Sequence, residues 1–119
     1  MDNIVDLDVL RPAKRMVRLN GKDIDVTFIP CAITFELGEI SDRIEKLDTE
    51  EIKAGGPTTR LAFELAVEMC AVFCAWKYPE MDKQWFMEHT DAMQIEMFAN
   101  ELRKALDNAY KGVGTYGKN

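Results

Sequence analysis

The chain has fewer basic than acidic residues and only three cysteines, and each of these facts excludes a class of protein. Its 15 basic residues are outnumbered by 21 acidic ones, and the net charge of -6 repels the phosphate backbone of DNA or RNA. Its 3 cysteines form an odd set without the spacing of a disulfide framework, which fits a reducing compartment. We therefore expect no nucleic-acid partner and no disulfide scaffold.

No secretory signal and no membrane span are predicted. Its N-terminus is acidic, whereas a secretory signal begins with basic residues. The most apolar stretch, Leu61 to Trp76, is interrupted by Glu64 and Glu68 and is shorter than the roughly 20 residues that cross a bilayer. We expect a cytoplasmic protein with no membrane partner.

No catalytic, cofactor or metal site is predicted. The single histidine, His89, has no serine or cysteine nucleophile pattern beside it. Cys70 and Cys74 have the spacing of two thiolates on one metal, but a structural zinc ion takes four ligands, so core packing is the better interpretation. Gly112 to Gly117 match the G-x-G-x-x-G pattern of dinucleotide sites, yet they follow a helix instead of joining a strand to a helix. The sequence therefore indicates a protein that is not an enzyme.

The N-terminal part of the chain predicts a β-hairpin. Asn20-Gly21 favours the positive φ angles of a two-residue type I′ turn between two alternating segments. That turn places Arg18 opposite Asp23 and Val17 opposite Ile24. One face of the hairpin is then apolar, and its residues are Val17, Leu19, Ile24 and Val26. This face needs another layer to cover it.

Helical patterns account for the rest of the chain. Apolar residues recur at three- and four-residue spacing from Ile33 to Leu47, in an amphipathic helix of roughly 15 residues. A helix that starts at Pro57 is apolar around most of its circumference. Asp82 caps a short helix, and a last helix begins at Asp91 with a capping box and ends before Gly112. We expect a mainly α fold in which the N-terminal β-hairpin packs on a bundle of about four helices.

The pattern predicts one domain between two tails. Residues 1–14 are an irregular N-terminal tail, residues 15–111 form a single globular domain, and residues 112–119 form a flexible C-terminal tail. The domain has more large apolar side chains than a tight core of its size needs. This surplus has three interpretations, which are a binding groove, a dimer interface and ordinary core.

Aromatic and methionine residues of the later helices are the candidates for partner binding. Clusters of these residues are typical of adaptable peptide-binding grooves, because the methionine side chain is flexible. The candidates are Phe63, Phe73, Trp76, Trp85, Phe86, Met97 and Phe98. On this hypothesis, replacing Phe86 and Met97 with serine abolishes partner capture and leaves the fold intact.

The order of the elements resembles that of a known family. Met16-Val-Arg-Leu-Asn-Gly-Lys-Asp-Ile-Asp-Val-Thr-Phe28 is followed by an acidic helix, a buried helix, and Trp85 ahead of a final amphipathic helix. In this order, over residues 15–111, the chain resembles the tail assembly chaperones of long-tailed bacteriophages. Those proteins are small, acidic and mostly helical, and they commonly open with a leucine-asparagine-glycine-lysine hairpin, here Leu19 to Lys22.

The resemblance implies a non-enzymatic role in the assembly of a phage or prophage tail. Such chaperones coat the aggregation-prone tape measure protein in the cytoplasm of the bacterial host, help recruit tail tube subunits, and are absent from the mature virion. Many are made in a short and a longer frameshifted form, and codons for Gly117-Lys118-Asn119 can contain the adenine run that permits slippage. The resemblance thus implies that this chain is the short form, and it leaves homo-oligomerisation open.

The acidic composition also fits a second class of function. A small acidic helical protein can regulate or inhibit a host protein by blocking a basic site on it. Affinity of such a mimic falls steeply as ionic strength rises, whereas binding in an apolar groove does not. Salt dependence therefore distinguishes the two hypotheses.

Overall fold

The computed structural model describes residues 3–48 and 57–117, and it describes the side chains of residues 3–47 and 60–108. A short 3-10 turn at Leu7–Leu10 precedes the hairpin. The elements that follow are β1 (Met16–Leu19), β2 (Lys22–Asp25), α1 (Cys31–Asp48), α2 (Pro57–Ala75), α3 (Lys83–His89) and α4 (Ala92–Gly117). The fold is mainly helical, with an N-terminal antiparallel hairpin packed against the helices, and this confirms the predicted fold class.

The hairpin has the predicted turn and register. The φ angles of Asn20 and Gly21 are 52° and 80°, as a type I′ turn requires. Val17 pairs with Ile24, and Arg18 pairs with Asp23. Nε of Arg18 donates a hydrogen bond to the Asp23 carboxylate at 2.8 Å, and this contact lowers the pKa of Asp23. The local turn chemistry therefore sets which face of the hairpin meets the helices.

The second strand ends earlier than the alternation of its apolar residues indicates. The Asp25 carboxylate accepts a hydrogen bond from the Thr27 N–H at 2.9 Å, and the Thr27 hydroxyl accepts one from the Arg15 N–H at 3.0 Å. These side chains replace strand hydrogen bonds and bend the backbone. As a result Val26 stays in the core, but Phe28 turns to the surface with 37% of its area exposed.

The four helices share one core, with α2 at its centre. α2 contacts α1, α3 and α4, and α1 also contacts α4. As predicted, most of the α2 circumference is buried, while Leu61 and Trp76 near its two ends are exposed. The predicted stripe of α1 is also confirmed, because Ile33, Leu37, Ile40 and Ile44 are buried. The hairpin adds Leu19, Ile24 and Val26 to the same core.

Both predicted helix caps are present. The Asp82 carboxylate accepts a hydrogen bond from the Trp85 N–H at 2.9 Å at the start of α3. At the start of α4, Asp91 accepts from the Gln94 N–H at 2.9 Å, and Gln94 accepts from the Asp91 N–H at 3.0 Å. These bonds satisfy N–H groups that have no partner within the helix. They fix where α3 and α4 begin.

The predicted end of the last helix is wrong. α4 continues to Gly117, so Gly112 and Gly114 lie inside a helix. A glycine costs about 1 kcal/mol in a helix interior, and an existing helix extends more easily than a new one forms. The G-x-G-x-x-G pattern is therefore helical here and does not form a phosphate-binding loop. Lys118 and Asn119 lie outside the described residues, and the flexibility of residues 112–119 stays a prediction.

Candidate partner-binding site

Three of the seven candidate residues form an aromatic cluster in the core. Phe73, Phe86 and Phe98 come from α2, α3 and α4, and all three are buried. The ring centroids of Phe73 and Phe98 are 6.4 Å apart, those of Phe86 and Phe98 are 6.2 Å apart, and both pairs meet edge to face. This geometry is the favourable one for aromatic pairs. These rings hold three helices together, and only small parts of Phe73 and Phe98, 8% and 4% of their areas, remain accessible.

Trp85 and Phe63 are partly buried and pack against this core. The Trp85 ring meets Phe86 edge to face at 5.1 Å and stacks on the His89 ring at 4.7 Å. His89 Nδ1 is 2.9 Å from the Trp85 carbonyl oxygen, so the histidine completes the last turn of α3. Phe63 borders a shallow hollow between α1, α2 and α4 of about 460 Å³, whose wall includes Ala66 and Ala99.

Trp76 and Met97 are the two exposed candidates, and the structure does not bring them together. Trp76 is 54% exposed and lies in a cleft beside the segment that follows β2. Met97 is 56% exposed and lies in a separate groove between β1 and α4. The candidate set therefore divides into core residues and two distinct surfaces.

The groove between β1 and α4 is rich in methionine, and we call it the methionine groove. Met16 stands on the hairpin side, and Met93 and Met97 stand one helical turn apart on α4. The floor contains the buried residues Leu19 and Phe98. Its volume is about 370 Å³. All three methionines are exposed, so flexible apolar side chains line the opening of a groove with a packed floor.

An ion pair fixes the position of β1 relative to α4 beside this groove. The Arg15 guanidinium, just before β1, binds the Glu101 carboxylate and also donates to the Glu101 carbonyl oxygen at 3.4 Å. Lys104 contacts the same carboxylate at 3.0 Å. Hydrogen bonds from Arg15 and Lys104 lower the pKa of Glu101. A polar contact therefore joins the start of β1 to α4 beside the methionine groove, in addition to apolar packing.

The candidate residues predicted from the sequence did not include Met16 or Met93, although Met93 belongs to the cluster of methionine and aromatic residues around Met97 that the sequence indicates. The spacing of Met93 and Met97 places them on one side of a helix, and this signal was present in the sequence. Met16 lies on the outward side of the hairpin pattern, where an apolar residue carries no periodic signal. Only the packing of β1 beside α4 brings Met16 to the same groove.

The described residues contain no metal-binding cluster. No group of three or more histidine, cysteine, aspartate or glutamate side chains is placed there to hold an ion. Cys70 and Cys74 are free and buried, and burial raises the pKa of both thiols, that of Cys74 to about 12. Cys31 is free and exposed at the start of α1. In the described structure the pair on α2 belongs to the core.

The cysteines should differ strongly in reactivity. In the native protein a thiol reagent should modify Cys31 rapidly and leave Cys70 and Cys74 unmodified, because attack requires an accessible thiolate. After denaturation all three should react, which a timed absorbance assay with mass spectrometry can measure. A Cys31→Ser variant is the control and should show no rapid phase. Rapid labelling of Cys70 in the native protein would contradict the buried position of α2.

No family model, no curated protein and no solved structure matches the chain. Among the helices of the described residues, none is long and apolar enough to cross a membrane. The function is therefore inferred from the surfaces of the protein and from the resemblance carried by its sequence.

Proposed function

We propose that this protein is a non-enzymatic tail assembly chaperone of a phage or prophage. In this role it binds the tape measure protein and helps recruit tail tube subunits. The resemblance over residues 15–111 supports the family, and the methionine groove is the single observation that supports capture of an apolar partner. The proposal includes action in the cytoplasm of the bacterial host, absence from the mature virion, and a short form paired with a frameshifted longer one.

The methionine groove has the chemistry that an apolar helical segment requires. A bound amphipathic helix places its apolar side chains at three- and four-residue spacing in a groove. Met93 and Met97 repeat with the spacing of one helical turn, and Met16 faces them from the hairpin. Methionine can repack around different apolar side chains, so one groove can take many segments of a long partner. Tape measure segments of this kind are the proposed occupants.

The charge of the protein supports the same role. Its net charge is -6, and mutual repulsion between acidic exteriors opposes aggregation of a coated partner. Glu36 and Glu39, which help keep a complex soluble, lie away from the groove on the exposed face of α1, whereas Glu101 in the groove lining is paired with Arg15. Capture and solubilisation thus use different parts of the surface.

Replacing both α4 methionines tests this proposal. A variant with Met93→Ser and Met97→Ser should bind the tape measure protein of the same genome on the order of 10- to 100-fold more weakly, because two apolar contacts are lost. It should also leave more of that protein insoluble on co-expression. Both side chains are more than half exposed, at 66% and 56%, so the fold should be retained. Affinity should be measured by titration calorimetry or fluorescence at low and high salt.

A matched control is available on α3. Met87 is 59% exposed and lies outside the lining of the methionine groove, so Met87→Ser should bind like the unchanged protein. Unchanged affinity in the double variant would show that the groove is not the site. Failure of the unchanged protein to bind any tape measure segment would contradict the proposed function. A steep loss of binding with salt would favour the acidic inhibitor instead.

A further inference from the structure

A second surface of the protein combines aromatic side chains with a concentration of positive charge. The aromatic cleft lies between the end of α2 and the segment after β2, and Phe28, Phe73, Trp76 and Tyr78 line it. Its volume is about 70 Å³, comparable with a single aliphatic side chain. Trp76 is 54% exposed at its edge. The cleft is distinct from the methionine groove, because no residue lines both.

Basic residues surround this cleft, although the whole chain is acidic. The Arg11 guanidinium lies 4.2 Å from the centre of the Phe28 ring, and the Lys22 ammonium lies 4.9 Å from the centre of the Tyr78 ring. Lys77 lines the cleft. Asp25 also lines the cleft. Hydrogen bonds from Thr27 lower its pKa most, and the charges of Lys77 and Lys14 lower it to a smaller extent.

The balance of charge at the cleft is positive. Two acidic residues lie there: Asp25, held by Thr27, and Glu80, whose carboxylate is 3.4 Å from the Lys22 ammonium. Four basic residues near the cleft outnumber them, and these are Arg11, Lys14, Lys22 and Lys77. Within the described part of the chain, Lys14 and Lys77 form no ion pair. The cleft therefore favours an acidic segment that carries aliphatic side chains.

The N-terminal arm, which we define as residues 3–10, has that composition. It contains Asp6 and Asp8 and no basic residue. Its aliphatic side chains are all exposed, between 54% and 80%, and they are Ile4, Val5, Leu7, Val9 and Leu10. Asp6 caps the short turn at Leu7–Leu10, so the arm has local structure without any apolar cover. A row of exposed aliphatic side chains of this kind is typical of a segment that binds another surface.

We propose that the N-terminal arm of one copy docks in the aromatic cleft of a second copy. None of residues 3–10 lines the aromatic cleft, although Arg11, which follows the arm, contacts Phe28 at the wall of that cleft. In this structure the arm therefore leaves its own cleft uncovered, and the arm of a second copy can enter that cleft with the contact between Arg11 and Phe28 intact. Every copy carries both surfaces, so reciprocal exchange forms a closed pair with two identical contacts. This inference is independent of the proposed function.

Charge reversal tests the exchange. An arm variant, Asn3→Lys with Asp8→Lys, keeps the Asp6 cap and makes the arm basic, and a cleft variant, Lys14→Glu with Lys77→Glu, makes the cleft acidic. Each alone should weaken self-association by roughly tenfold or more, measured by sedimentation equilibrium over a range of concentrations. A mixture of the two variants should restore association, because each arm then meets a cleft of opposite charge. If each arm occupied the cleft of its own chain, mixing the two variants would not restore the contact.

A second variant tests the apolar part of the contact. Leu7→Ser with Val9→Ser removes two aliphatic groups that are 66% and 73% exposed, and it should weaken dimers by at least roughly tenfold. In a Trp85→Phe background, Trp76 is the sole tryptophan, and its emission should shift to shorter wavelength as the dimer forms. Glu36→Lys with Glu39→Lys, on the exposed face of α1, is the control and should dimerise like the unchanged protein.

Three results would overturn the inference. One is a protein that stays monomeric at every concentration. Another is a dimer that neither the arm variants nor the cleft variant weakens, since its interface must then lie elsewhere. The third is a monomer whose Trp76 emission is already shifted and responds to Leu7→Ser, which would mean that the arm covers its own cleft.

Discussion

Replacing Phe86 with alanine is expected to lower the free energy of unfolding by about 3–5 kcal/mol. Phe86 is fully buried, and its ring lies 5.1 Å from the centre of Trp85 and 6.2 Å from that of Phe98. Removal of the ring leaves a cavity between helices that can close over it only in part. The residue therefore carries an unusually large share of the stability of this small protein.

The position of Phe86 in α3 increases the effect. α3 has 7 residues, and Phe86 is its one buried side chain. A helix this short is not stable in water by itself, so its attachment to the bundle depends on that side chain. Urea unfolding followed by circular dichroism and by tryptophan emission measures the change. Loss of Phe86 should also release Trp85, which should appear as a change of emission before global unfolding.

The neighbouring residue Met87 supplies the control. It is 59% exposed on the same helix, and Met87→Ala should change stability by no more than about 0.5 kcal/mol. Equal effects of the two substitutions would contradict the placement of α3. The sequence alone led to the hypothesis that Phe86 and Met97 can both be replaced without loss of the fold. We now expect Met97→Ser to keep the fold and Phe86→Ser to lose it.

Replacing Leu37 with alanine is expected to cost about 2–5 kcal/mol. Leu37 is fully buried on the face of α1 that packs on the rest of the bundle. Several of its neighbours in the core, among them Ile33 and Ile40, are branched aliphatic residues with few alternative rotamers, so the site cannot collapse freely around a smaller side chain. Thermal and urea unfolding measure the loss, and both should show a lower midpoint with little change in the cooperativity of unfolding.

Phe35 on the same helix is the matched control. Its side chain is larger than that of Leu37, yet it is 79% exposed, so Phe35→Ala should be nearly neutral. A large loss of stability in this variant would mean that α1 is rotated from its described position. The pair of substitutions therefore tests the orientation of α1 with two residues that differ by only two positions in the sequence.

The amino-acid sequence determined the local structure of this protein. Asn20-Gly21 determined the turn and the register of the hairpin, because few residues other than glycine and asparagine adopt positive φ. Asp82 and the pair Asp91 and Gln94 determined two helix starts through hydrogen bonds that span only three residues. The periodicity from Ile33 to Ile44 determined the buried face of α1. These signals are local, so a single sequence is enough to read them.

Only the tertiary structure decided which apolar residues form the core and which form a surface. Phe86 and Met87 are adjacent and both apolar, and so are Met97 and Phe98, yet in each pair one side chain is buried and the other exposed. Helical spacing gives the face of a residue but not the element that covers it. The methionine groove requires β1 to lie beside α4, and the aromatic cleft requires the segment after β2 to lie beside the end of α2. Those neighbours are far apart in the chain, and packing alone brings them together.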